Sequence, residues 1–190
     1  MKHNCVVWEG RFQPFHIGHL SYVRTLLQHA EQLWIFVVDN EISKDLPGFV
    51  SPVPLFTQEV DSHHRAEKNP LPFWLRYQIV VETLRYELGS DAPIFVWGGR
   101  RLDLNWDYYK KALPQNRIFL TPLRDSFEDL KAATWEKLGE SVERLDLGND
   151  FPKISATMVR ERIQNKQDVT DLLSGKSIEI LKQYGFFDKI

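Results

Sequence analysis

The sequence predicts a parallel, doubly wound α/β sheet with helices closing its C-terminal end. Short, continuous apolar runs such as Leu33–Val38 have the pattern of strands buried on both faces. Stretches with helical spacing lie between those runs, and strands alternating with helices imply right-handed βαβ crossovers.

Val6-Val7-Trp8 reads as a buried strand ended by Gly10. From Ile17 the apolar positions Leu20, Val23, Leu27 and Ala30 step by three and four, which is one helix face. Leu33–Val38 is the second strand, ended by Asp39-Asn40. Residues 41–72 hold five prolines and no period, and are expected to form a long substrate loop. Pro72 suits a helix start, Phe73 to Leu88 carry an apolar stripe, and Gly89 stops it. Ile94–Trp97 is a third strand, ending at Gly98-Gly99. A short helix over Asn105–Leu113, a strand at Arg117–Leu120, a helix over Phe127–Leu138 and a strand at Val142–Leu145 follow. Ser155–Gln164 and Ser177–Tyr184 are the closing helices of a C-terminal segment spanning 155–190.

The chain has 190 residues, 43% of them apolar and 26% charged, which suits one soluble globular domain over 1–190. With 24 basic and 26 acidic residues, a broad basic surface for nucleic acid is not expected. The one cysteine, Cys5, excludes an internal disulfide framework and a multi-cysteine metal site, and no dedicated protein metal site is expected. No apolar run reaches the roughly 18 residues of a membrane span. The expected setting is the cytoplasm, and a homo-oligomer is compatible with this composition.

Two motifs carry chemistry. The first is Gly10-Arg11-Phe12-Gln13-Pro14-Phe15-His16-Ile17-Gly18-His19, placed where the first strand turns into the first helix. His16 and His19 are three apart and share a face in the first turn. Gly18 lets a ligand approach the backbone, and the helix N-terminus with Arg11 favours an anion. The second is Ile154-Ser155-Ala156-Thr157-Met158-Val159-Arg160, a capped helix start with Thr157 and Arg160 on one face.

Together these motifs resemble the HxGH nucleotidylyltransferase superfamily, whose H-I-G-H-type turn lies near the N-terminus and whose I-S-x-T-x-x-R segment lies near the C-terminus. The wording of the first motif, and Asn69-Pro70-Leu71-Pro72 before Arg76, look most like the archaeal-type nicotinamide-mononucleotide (NMN) adenylyltransferases. The resemblance implies a Rossmann-like nucleotidylyltransferase fold. It also implies attack by an acceptor's phosphate on the α-phosphorus of a nucleoside triphosphate, releasing pyrophosphate. ATP is the expected donor, a small phosphorylated molecule such as NMN the acceptor, and Mg²⁺ the accompanying ion. His19 and His16 would then face the phosphate chain, with Arg160 on the leaving group. Gly10, Arg11, Phe12, Gly18, Ser155 and Thr157 would complete the nucleotide site. Asp39, Trp97, Arg76, Arg100 and Arg101 are the acceptor-side candidates. Trp97 reads equally as a stacking platform and as a core residue beneath the rim, and the arginines equally as phosphate partners and as ion pairs. Other readings are a cytidylyltransferase acting on a phosphorylated alcohol or phosphonate, and a non-catalytic nucleotide sensor.

Overall fold

A computed structural model describes residues 2–39 and 68–187. Five parallel strands form one sheet in the order β3-β2-β1-β4-β5. They are β1 (His3–Gly10), β2 (Ala30–Asp39), β3 (Ile94–Arg100), β4 (Arg117–Pro122) and β5 (Val142–Leu145). The helices are α1 (Ile17–His29), α2 (Phe73–Leu88), α3 (Trp106–Tyr109), α4 (Ser126–Lys137), α5 (Ala156–Gln164) and α6 (Gly175–Gln183). The parallel α/β architecture expected from the sequence is present. The substrate loop expected over 41–72 lies outside the described residues up to 67.

Alternation along the central strand separates two cores. Val6 and Trp8 face one side, against residues of α1, α2, α5 and α6. Cys5 and Val7 face the other, with Phe36, Phe119, Trp106 and Trp135. Both faces of β1 are apolar because both are covered, so its sequence shows no alternation. Burial raises the Cys5 thiol to about 11, so it behaves as a small core side chain.

The third strand runs further than its apolar residues suggest. It continues through Gly98 and Gly99 to Arg100, which pairs in register with Asp39. Glycine is needed at position 98 because a Cβ there would lie 2.8 Å from the Val37 carbonyl oxygen. Later helices begin at side-chain caps. Asp125, Ser155 and Ser174 accept from the amides of Glu128, Met158 and Ser177.

Consecutive βαβ units place β2 and β3 on one side of β1, and the chain then crosses to β4 on the other. That reversal between β1 and β4 is the switch point of an open sheet, where a crevice forms beyond the strand ends.

Candidate active site

A cavity of about 1050 Å³ opens there, over the ends of β1 and β4 and the residues after β5. Its lining includes Gly10, Arg11, Phe12, His16, Gly18 and His19 from the first motif. Ser155, Thr157 and Arg160 of the second motif line the same cavity. The two motifs are also bonded directly. Arg160 Nη1 donates to the Gln13 carbonyl at 2.7 Å, and its Nη2 donates to Thr157 Oγ1 at 3.3 Å.

The histidines cap α1 reciprocally. The His19 amide donates to His16 Nδ1 and the His16 amide donates to His19 Nδ1, each at 3.2 Å. This is a capping box made of two imidazoles. With Nδ1 accepting in both rings, the neutral ring carries its proton on Nε2. The rings stack with centroids 3.6 Å apart, where two positive charges would repel. Trp8, Phe12 and Phe15 surround His19 at 5.2–5.8 Å between centroids. Burial holds His19 well below the ordinary imidazole range, with neighbouring His16 and Arg124 adding to the effect. Burial likewise pushes His16 down to about 3, assisted by Arg124.

These shifts set a pH dependence. Between the ordinary imidazole value of 6.5 and about 3, the unfolded chain binds protons at these histidines that the folded chain refuses. Stability should therefore fall as pH drops through that window. Asp103 acts in the opposite sense, because burial raises its carboxyl to about 6 despite Arg101. Two histidines outweigh one aspartate. The melting temperature should decline from pH 6.5 towards 4, and a flat or rising profile would show that these imidazoles titrate normally.

The turn before the helix is shaped by Phe12, which adopts a positive φ of 51° and folds its ring under Gly10. A Cβ at Gly10 would lie 2.7 Å from that ring, so the position admits no side chain unless Phe12 moves. Gln13 then fixes the turn to the residues before α2. Its amide donates to the Leu71 carbonyl at 3.2 Å and accepts from the Leu71 amide at 3.0 Å.

The acceptor-side candidates stand elsewhere, and none of Asp39, Arg76, Trp97, Arg100 and Arg101 lines the cavity. Arg76 is wholly buried and donates to the carbonyls of Leu71, Arg11 and Val38 at 3.0, 2.7 and 2.7 Å. It braces the turn from behind. Arg101 is buried and forked onto Asp103, with the closer contact at 3.0 Å. Asp39 and Arg100 face each other at the strand ends. Trp97 packs in the second core, 4.9 Å from Phe36 and 5.6 Å from Tyr109 between ring centroids. It lies beneath the rim because the strand runs three residues beyond it. Trp97→Ala should then destabilise the fold by about 3 kcal/mol and leave acceptor KM unchanged in the folded fraction. A raised acceptor KM with an unchanged melting temperature would return Trp97 to the site.

Sequence reasoning missed a charged group on the cavity wall. Lys131 Nζ lies 3.0 Å from Glu9 Oε1 and 3.7 Å from Glu128 Oε2. Arg124 also lines the cavity and lies 3.8 Å from Glu128. The i,i+3 spacing of Glu128 and Lys131 is a legible signal; Glu9, 122 residues from Lys131, is not.

Comparison with known proteins places the chain in a family. The chain is 27% identical to phosphonoformate cytidylyltransferase of Streptomyces viridochromogenes, over 97% of this chain and 94% of that protein. It is 24% identical to a probable nicotinate-nucleotide adenylyltransferase of Shigella boydii, over 98% of this chain and all of that one. Among solved structures, a bifunctional NMN adenylyltransferase/ADP ribose pyrophosphatase of Francisella tularensis matches with a TM-score of 0.61 at 18% identity. That match covers 98% of this chain but 49% of the longer protein. Plasmodium falciparum nicotinic acid mononucleotide adenylyltransferase matches with a TM-score of 0.58 at 12% identity, covering 98% of each chain. The family model described as Cytidylyltransferase-like matches residues 7–162, spanning both motifs of the cavity, and the chain belongs to that family.

Proposed function

We propose that the chain transfers a nucleoside monophosphate from a nucleoside triphosphate, with ATP the leading donor, to a phosphate-bearing acceptor such as NMN. The observation that carries this reading is the bonding of Arg160 to Gln13 across the cavity, which sets the His16–His19 pair beside the start of α5.

The chemistry asks little of the protein except position and charge. An acceptor phosphate is largely ionised near neutral pH, with a second pKa of about 6. Its oxygen forms a bond to the α-phosphorus as the bond to the bridging oxygen breaks, and pyrophosphate leaves with the electron pair. No side chain needs to act as nucleophile. His19 and His16 offer Nε2–H donors to the phosphate chain, where charge builds during transfer. Arg160, Thr157 and the α5 N-terminus receive the departing phosphates. Lys68 and Arg124, which also line the cavity, are assigned to the acceptor's anionic group, and Arg11 stays with the nucleotide.

Among the described residues no three His, Cys, Asp or Glu side chains gather in a group that could hold a metal ion. The cavity's Glu9 and Glu128 lie against Lys131, and Asp103 against Arg101. An Mg²⁺ ion would therefore enter on the phosphate oxygens with its own waters and screen their charge. A further structure of the bifunctional Francisella tularensis protein, matched with a TM-score of 0.54 at 19% identity, is a complex with AMP and an Mn ion.

A second reading has its own support. The Streptomyces relative is named for cytidylyl transfer to a phosphonate, and its similarity runs almost end to end. Either acceptor presents a phosphoryl dianion, so the same cavity chemistry serves both. Pyrophosphate release measured with ATP and CTP against NMN, nicotinate mononucleotide and small phosphonates separates them. ATP with a mononucleotide should be the fastest pair. CTP with a phosphonate in first place would install the second reading. No pyrophosphate from any pair, together with no triphosphate binding by calorimetry, would remove transferase activity altogether.

A further inference from the structure

The turn that carries the histidines, and the end of β1 that leads into it, are held by their carbonyls. Three of them, at Glu9, Arg11 and Gln13, each accept from a cation on a different helix. Arg76 of α2 holds Arg11 and Arg160 of α5 holds Gln13. Lys131 of α4 donates to the Glu9 carbonyl at 3.2 Å and reaches the same residue's Oε1 at 3.0 Å.

The Lys131 contact fills a place that the sheet leaves open. Register pairs between β1 and β4 stop at Val7 and Phe119, two residues short of Glu9. Beyond that point β1 has no register partner in β4, and the ammonium from α4 donates to the Glu9 carbonyl. Lys131 is itself buried, at 7% exposure, in a cavity wall where a lone charge would be costly. Burial alone would lower its ammonium, but the Glu128 and Glu9 carboxylates hold it above its ordinary value. Glu128 Oε2 is buried with no hydrogen-bond partner and faces the ammonium at 3.7 Å. Phe127 carries Lys131 Nζ over its ring at 5.9 Å and the Arg11 guanidinium at 5.9 Å. One lysine thus connects α4, the end of β1 and the cation-bearing turn.

We propose that Lys131 is a positioning residue for the proposed transfer: by gripping Glu9 through both its carbonyl and its carboxylate, it fixes the Gly10–His16 turn against the sheet. It acts through the turn and need not touch substrate. A turn released by a fraction of an ångström would move the His16 and His19 donors together. Misplacement by about 1 Å can cost about 10²-fold in rate. The kinetic part of the proposal rests on the transferase reading, whereas the structural part does not.

The test combines amide hydrogen exchange with kinetics on the full chain. Lys131→Met should speed exchange of the amides of residues 10–13, 15 and 16 by about ten-fold or more, while the strand amides of β2 keep their protection. If the transferase reading holds, kcat should fall by about 10²-fold and the triphosphate KM should change by less than about three-fold. Lys131→Arg, which keeps a cationic donor, should restore most of both readouts. If Lys131→Met does not fold, Glu128→Gln/Lys131→Met removes one opposing charge along with the ammonium and leaves the same Glu9 carbonyl unheld. Loosened exchange with rescue by arginine supports the clamp even if no substrate pair shows turnover, and in that case the transferase reading alone fails. Unchanged exchange in the turn, or loosening spread evenly over the sheet, overturns the clamp whatever the kinetics show.

Discussion

His19→Ala is expected to reduce nucleotidyl transfer by about 10²–10³-fold, the usual cost of losing one oriented donor at developing negative charge. Turnover should drop far more than triphosphate affinity, because the ground-state phosphates keep Arg160, Arg11 and the α5 amides. The substitution also removes half of the reciprocal cap. The His16 amide loses the Nδ1 acceptor that it meets at 3.2 Å. A lost cap typically costs about 1 kcal/mol, too little to unfold the chain. His19→Asn separates the two effects, since its amide oxygen can accept from the His16 amide while it offers no imidazole N–H. If His19→Asn recovers the melting temperature but not the rate, the ring itself serves the reaction. Activity of His19→Ala within a few-fold of wild type would remove the histidine pair from the mechanism.

Arg76→Met should give the largest loss of stability among substitutions around the site, about 3–5 kcal/mol. Three carbonyls, on Leu71, Arg11 and Val38, would lose a donor in a buried place, each at about 1–3 kcal/mol and less than additively. At about 2–4 °C per kcal/mol for a chain this size, the melting temperature should fall by about 6–20 °C. Arg76→Lys should recover little, because one ammonium cannot reproduce a planar fork spread over three acceptors. A melting temperature within about 3 °C of wild type would show that water or a shifted neighbour satisfies those carbonyls.

The contrast between Arg76 and Arg160 shows where sequence reasoning reaches its limit. Both read as cations near a ligand, and only Arg160 lines the cavity. Its direction is legible, because Ser155, Thr157 and Arg160 follow a helix start whose cap and spacing give the exposed face. Arg76 lies on a helix with apolar residues on several sides, and nothing local says that its side chain turns inward to distant carbonyls. Trp97 is ambiguous for a related reason. In a strand covered on both faces, alternating side chains look alike, so the sequence does not tell which face a tryptophan joins or how far the strand continues. The strands and helices themselves are legible because each has a period or a continuous run over several residues. The Glu9–Lys131 contact spans 122 residues, and neither partner has a local pattern that names the other.

The reciprocal cap has one more consequence, for proton traffic. Each imidazole uses its Nδ1 lone pair on backbone and presents its proton on the opposite edge. Neither ring can take up a second proton there without uncapping the helix. The pair therefore works as two fixed dipoles and not as an acid–base couple, and the proposed transfer proceeds with no proton in flight between enzyme and phosphate. Turnover in deuterium oxide should match turnover in ordinary water, and the rate on the acid side should follow the ionisation of the acceptor rather than of the enzyme.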